Sequence, residues 1–213
     1  MSTSASAPVA APAGVQPVRQ GAYWLLQLAT RRRMRVTGAV LTLLVVAHLV
    51  LWKTRPCDLF DFFDPSAVGG QLLILLGIFT RSWAAGTIHK SQALTTSGPY
   101  TFVRNPLYIG SFLMMFGFAL LLRDWIAMWI IVGPILAMYL NKVRQEEVFL
   151  ARIFPDSWPA YIEQTPRFVP CRLGRPSFVD FSWRQWAVNS EYQVIFASAI
   201  GLFAIWCWHR AMA

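Results

Sequence analysis

The chain has 213 residues, of which 56% are hydrophobic and only 14% charged, with a formal net charge of +9. A soluble domain carries about 25% charged residues, so water is excluded as the solvent for much of this surface, and a mean hydropathy of +0.45 points the same way. The basic excess sits between apolar stretches, which reads as membrane topology and contact with anionic head groups and not as nucleic-acid binding.

Residues 1–18 are rich in Ala, Pro and Ser and hold no apolar run. They read as a disordered tail and not as a cleaved signal peptide. Residues 19–35 combine Trp24, Leu25, Leu26 and Leu28 with Arg31, Arg32, Arg33 and Arg35. That mixture suits a basic helix lying on the cytoplasmic leaflet. Five apolar segments follow, at 36–52, 68–85, 107–122, 125–140 and 192–208. Several are near the short limit for a bilayer core of about 30 Å, which takes roughly 20 helical residues. The expected fold is all-α: a polytopic membrane protein of about five transmembrane helices in a single domain, 36–213. Arg123 and Asp124 alone interrupt the third and fourth segments, which predicts a tight helical hairpin.

The charges orient this arrangement. All of the 19 basic residues except Lys53, Arg55, Arg123 and Arg210 fall on one side of a five-span topology. The other side carries Asp58, Asp61, Asp64 and Asp124. The excess of Lys and Arg on cytoplasmic loops places the N-terminus inside and the C-terminus outside. The arginine content, the Ala/Pro-rich tail and the short loops suggest a bacterial inner membrane. Cys57, Cys171 and Cys207 are scattered, as are His48, His89 and His209, so neither a metal site nor a disulfide framework is expected. His48, inside the first span, reads as a packed histidine.

Two cytoplasmic segments stand out, 81–106 and 141–170. In the first, Gly98 and Pro99 supply turn chemistry. Asn105 is suited to cap a helix that Pro106 opens, with Tyr108 in its first turn. In the second, Leu136, Tyr139, Leu140, Val143, Glu147, Leu150 and Phe154 fall on a helical stripe, so the fourth span continues into the cytoplasm. Glu147 lies on that stripe and Glu146 beside it. Adjacent carboxylates at a membrane boundary repel and resist desolvation, and a bound cation relieves both costs. Lys142, Arg144 and Arg152 offer a plainer neutralisation as surface pairs. The proline- and aromatic-rich stretch 154–170 reads as a compact lid on the cytoplasmic face.

Taken in order, Thr96-Ser97-Gly98-Pro99-Tyr100, Arg104-Asn105-Pro106-Leu107-Tyr108, a helical hairpin, Glu146-Glu147, Phe154-Pro155-Asp156-Ser157-Trp158 and Thr165-Pro166-Arg167 form a set. It resembles the integral-membrane methyltransferases that include isoprenylcysteine carboxyl methyltransferase and phospholipid N-methyltransferase. The resemblance covers roughly residues 69–170, the expected catalytic core. It implies S-adenosyl-L-methionine as cofactor, bound at the cytoplasmic face without a dinucleotide fold. By the same resemblance the cofactor is lined by Gln92, Ala93, Leu94 and Thr95, by Tyr100, by Asn105, Pro106, Leu107 and Tyr108, and by Glu146 and Glu147. Asn105, Tyr108, Glu146 and Glu147 are the implied catalytic set. The stripe favours Glu147 as the inward carboxylate, whereas the family pattern favours Glu146. Lys142 falls where the carboxyl methyltransferases place a substrate-facing arginine, with Arg144 and Arg104 as further substrate contacts.

One departure is chemical. The family carries His where this chain has Asn105, and an amide cannot take up a proton at neutral pH. An acceptor that arrives deprotonated, such as the carboxylate of a prenylated cysteine, is therefore favoured over a phospholipid amine, which must first lose a proton. Membrane lipids and a lipidic acceptor are the expected partners. Tyr100, Tyr108, Trp158 and Tyr161 offer aromatic faces to a cation. The rival readings are an NADPH-dependent sterol-type reductase, with Arg81, Lys90 and Arg104 for phosphate, and a non-catalytic membrane subunit.

Overall fold

The run Asp64-Pro65-Ser66 begins helix α1 (Pro65–Thr87), because the Asp64 carboxylate accepts the Ser66 N–H at 2.9 Å and Pro65 needs no donor at the first position. The computed structural model describes residues 43, 46, 47, 50, 51, 53–88, 94–123, 125–170 and 180–212. The expected tail, the interfacial helix, most of the first span, His48, His89 and Cys171 lie outside the described residues. Leu43, Val46, Ala47, Val50 and Leu51 are helical. Residues from Leu43 onward form one compact unit.

Pro106 opens α2 (Pro106–Leu122), and Arg123, at a left-handed φ of 53°, ends it. Two residues later α3 (Trp125–Ile153) begins, so the predicted hairpin is as tight as its sequence implied. At 1.5 Å per residue the 29 residues of α3 span about 44 Å, longer than a bilayer core of about 30 Å. The surplus carries Glu146 and Glu147. A short α4 (Trp158–Gln164) follows, then α5 (Trp183–Val188) and α6 (Tyr192–Ala211). Every regular element among the described residues is helical. Two of these helices, α1 and α6, are long and apolar enough to cross a membrane, and α2 is a shorter apolar helix. Leu72, Leu75, Leu76 and Phe79 on α1, and Phe196, Ile200 and Phe203 on α6, face outward. Such exposed apolar stripes suit lipid as solvent.

Glycines set the contact between α1 and α2. A Cβ placed on Gly77 would lie 2.6 Å from the Gly110 carbonyl oxygen, and one on Gly117 2.6 Å from that of Gly70. The two helices thus run antiparallel with Gly70 against Gly117 and Gly77 against Gly110, backbone on backbone. Lipid offers no hydrophobic gain for helix association, and close approach through small residues replaces it. The core between α1, α2 and α6 holds Ala67, Ile74, Leu121 and Ile205, with Cys57 from the preceding loop.

That loop closes one end of the bundle. Cys57 N–H donates to the Leu121 carbonyl at 2.8 Å, Gln71 Nε2 to that of Leu59 at 2.7 Å, and Trp208 Nε1 to that of Thr54 at 3.1 Å. Asp64 also pairs with Arg123. Burial alone would raise the Asp64 pKa, but the Ser66 N–H, the Cys57 thiol and Arg123 outweigh it and hold it below the usual carboxylate value.

Candidate active site

At the other end, the turn and the helix start meet α3 and the segment after it. Gly98 adopts a φ of 59°, against the Thr87 side chain, and begins a single 3-10 turn, Gly98–Thr101, that delivers Tyr100 inward. Arg104 N–H donates to the Pro166 carbonyl at 2.9 Å, and the Tyr161 hydroxyl donates to the Tyr100 carbonyl at 2.9 Å. The segment 154–170 therefore packs on the 3-10 turn through α4, whose Trp158 and Tyr161 are buried with ring centroids 5.9 Å apart.

Asn105 corrects one expectation. It occupies the cap position of α2 but its side chain makes no cap bond. Instead Nδ2 donates to Glu147 Oε1 at 3.3 Å. Arg167 Nε donates to the same oxygen at 3.0 Å and its terminal nitrogen bonds Oε2, while Arg104 lies 3.5 Å from Oε1. Both oxygens of Glu147 are thus engaged, by two guanidinium groups and an amide. The Glu147 contact also holds the Arg167 guanidinium more firmly in its charged form.

The adjacent carboxylate has a different environment. The side chain of Glu146 is 42% exposed against 11% for Glu147, and it meets Lys142 Nζ at 3.6 Å one turn back. The Tyr108 side chain hydrogen-bonds to it. The Tyr108 ring stands edge-on to Tyr139 at 5.4 Å, and Tyr139 stands edge-on to Phe112 at 5.7 Å. Nearby, the hydroxyl of Tyr100 is buried without a hydrogen-bond partner, as is Nε of Arg104. Burial foremost, then Tyr161 and the carboxylates of Glu146 and Glu191, push the Tyr100 pKa well above the ordinary tyrosine value. It is therefore a neutral donor at physiological pH.

The structure thus brings Asn105, Arg104 and Glu147 into one cluster, and Tyr108, Glu146 and Lys142 into another beside Tyr100. Pro106 is buried under them, and Leu107 contributes a carbonyl. Leu94 and Thr95 are half-buried in the loop before the turn, whereas Gln92 and Ala93 lie outside the described residues. Arg144 is exposed on α3. The plain surface pairing expected for the glutamates holds for Lys142 with Glu146 and not for Glu147. Arg167, which the sequence offered only as the end of a motif, is the main partner of Glu147. Its signal was the need of an inward carboxylate for a cation. Two shallow cavities, of about 330 Å³ and 200 Å³, lie at the opposite end of the bundle, and no predicted site residue lines either.

The described residues form a helical bundle in which two helices are long and apolar enough to cross a membrane, with carboxylates, aromatic rings and an unpartnered phenol gathered at one end. Residues 66–157 match the phospholipid methyltransferase family. It is 26% identical over 161 residues to a protein-S-isoprenylcysteine O-methyltransferase of Schizosaccharomyces pombe, covering 70% of this chain and 67% of that one. The corresponding enzyme of Saccharomyces cerevisiae is 28% identical over 104 residues, 43% of this chain and 44% of its own. The cobalt-zinc-cadmium resistance protein CzcN of Cupriavidus metallidurans is 32% identical over 149 residues, which are 66% of this chain and 65% of CzcN. The chain thus spans just under two thirds of that relative's length. No solved structure matches the chain.

Proposed function

We propose that this protein transfers a methyl group from S-adenosyl-L-methionine to a lipid-borne acceptor at the cytoplasmic face of a membrane. The observation that carries the reading is the division of labour between the two glutamates. Glu147 is spent on Arg167, Arg104 and Asn105, whereas Glu146 keeps an accessible carboxylate beside Tyr108, the Tyr139 ring and the unpartnered Tyr100 hydroxyl. A carboxylate, aromatic faces and a free phenolic donor fit a ligand that is cationic and also carries acceptor atoms. When bound, S-adenosyl-L-methionine supplies an electrophilic methyl group on a sulfonium centre.

In this reading Glu146, Tyr100 and Tyr108 hold the cofactor, and Gln92, Ala93, Leu94, Thr95, Pro106 and Leu107 complete its wall. Glu147 and Asn105 fix the wall's geometry. Lys142 and Arg104 draw an anionic acceptor, with Arg144 at the approach. The packed segment 154–170 keeps water out, and positioning with water exclusion supplies most of the catalysis such a transfer needs. The acceptor reaches the site sideways from the bilayer. Asn105 has its amide committed to Glu147 and accepts no proton. That supports an acceptor already deprotonated, a prenylcysteine-type carboxylate before a phospholipid amine. The topology of the reading has about five spans, the N-terminus in the cytoplasm and the C-terminus outside. Arg81, Arg104, Lys142, Arg144, Arg152, Arg167 and Arg184 gather at the site end, as the positive-inside rule requires of a cytoplasmic face.

Calorimetric titration of the detergent-purified protein tests the donor. Saturable binding of S-adenosyl-L-methionine and S-adenosylhomocysteine is expected in the wild type, with strong weakening in Glu146→Gln and Tyr108→Ala. Absence of wild-type binding, or NADPH binding in its place, overturns the proposal. Incubation with radiolabelled methyl donor and either S-farnesylated cysteine or phosphatidylethanolamine then separates acceptors, because a methyl ester releases methanol in alkali and an N-methyl group does not.

A further inference from the structure

Helix α6 and the segment before it lie beyond the residues that match the family, yet they reach into the site. Segment 181–191 runs along the last two turns of α1. Ser182 N–H donates to the Gly86 carbonyl at 2.9 Å, and the Phe181 ring occupies the place where a Gly86 side chain would stand. Gln185 Nε2 donates to the Ile88 carbonyl at 2.8 Å, and Asn189 Nδ2 to that of Ala85 at 2.7 Å. Glu191 then meets Arg81, whose Nε and terminal nitrogen donate to the two carboxylate oxygens at 3.2 and 2.7 Å. Positions 81 and 85 fall on one face of α1, and Ile88 follows directly at its cap. The contacts are therefore a continuous seam.

Two local features aim Glu191 at Arg81. Ser190 adopts a left-handed φ of 59°, a conformation costly for a residue with a Cβ. Glu191 also stands at the cap of α6 without capping it. The remaining terminal nitrogen of Arg81 bonds Ser111 Oγ at 2.5 Å and the Leu107 carbonyl at 3.4 Å. Leu107 and Ser111 belong to the first turns of α2, on either side of Tyr108.

We infer that the Arg81–Glu191 pair is a positioning device for the methyl-donor site, through which the C-terminal helix holds the first turn of α2 in register. The inference rests on the reading given under Proposed function. Replacing a buried ion pair by apolar side chains is often neutral for stability, so such a pair is weak evidence of a stabilising role. This one is satisfied at every charged atom and ends on the turn that carries Tyr108. Arginine suits the task because its planar fork fixes two directions at once. Glu191 also neutralises Arg81, which leaves the Glu146 carboxylate to the ligand.

The test uses the full chain in detergent, with S-adenosyl-L-methionine and S-adenosylhomocysteine as titrants and a melting curve for every variant. Glu191→Gln and Arg81→Lys are expected to weaken both ligands by about tenfold in folded protein, the scale of coupling between contacting residues. Ser111→Ala is expected to weaken binding several-fold at an unchanged melting temperature. The charge-reversed double variant, Arg81→Glu with Glu191→Arg, is expected to recover stability more fully than binding, because the reversed pair cannot donate to Leu107. A lower melting temperature with dissociation constants within twofold of wild type overturns the inference and leaves a structural pair. Should Glu191→Gln not fold, Ser111→Ala decides by the same criterion. A wild type that binds neither compound overturns the methyl-donor reading itself, and this inference with it.

Discussion

Adjacent glutamates with one pattern in sequence have two chemistries in space. Glu147 points down the stripe of α3 onto Asn105 and Arg167, and Glu146 turns a step aside toward Tyr108 and Lys142. Glu147→Gln should therefore cost stability, about 1–2 kcal/mol because its chief partner is half exposed. Glu146→Gln should stay within about 0.5 kcal/mol of wild type, as a surface change does. Thermal unfolding in detergent measures both, and equal losses would contradict the division of roles. At the far end, burial pushes the Cys57 thiol up to about 11 from an ordinary 9.0. The thiol is thus protonated and shielded at neutral pH, while Cys207 is exposed. Peptide mapping after maleimide treatment at pH 7 should find Cys207 modified and Cys57 intact. For the fold, a raised thiol pKa contributes stability that is complete below pH 9 and is lost as pH climbs to about 11. The melting temperature of wild type should accordingly fall more steeply over that window than that of Cys57→Ala.

The α1–α2 contact is where a single atom matters most at the element scale. A Cβ at Gly77 meets Met114 Cγ at 2.5 Å and the Gly110 carbonyl oxygen at 2.6 Å, and a carbonyl cannot swing aside as a side chain can. Gly77→Val should separate the helices and cost about 3 kcal/mol or more, read as a lower melting temperature and aggregation on extraction. Gly69→Val, on the same helix with open space around it, is the control and should be tolerated. The lid makes a smaller prediction. Tyr161→Phe removes the bond to the Tyr100 carbonyl and should cost about 1 kcal/mol.

At the scale of the whole molecule, one end gathers arginines and the candidate site, and the other is closed by Asp58, Asp61 and Asp64 in the loop before α1. That asymmetry predicts the orientation. A phosphatase fused after Ala213 should be active in the bacterial periplasm, and one fused within residues 170–180 should be silent. The reverse result would invert the topology and place the glutamates outside.

Much of this was legible in the sequence, for a physical reason. Helix existence follows from apolar length and from local signals such as Asn105-Pro106, so α1, α2, α3 and α6 fell close to their predicted segments. The long extension of α3 and the inward face of Glu147 followed from helical periodicity alone. The motif set carried the family because its order survives in one dimension. What the chain could not disclose was who meets whom across distance. Asn105 looked like a cap because its neighbours make a helix start, and only tertiary packing brought the Glu147 carboxylate to its amide. Arg81 read as a topology charge or, in the rival reductase, as a phosphate contact until the segment before α6 brought Glu191 to it. The glycines of α1 and α2 were spaced seven apart in both helices, a signal that was present, but pairing them required knowing that the two helices touch. Local sequence determines which elements form; the partners of buried charges are decided by packing, because a guanidinium or carboxylate removed from water takes whichever counter-charge the fold brings within reach.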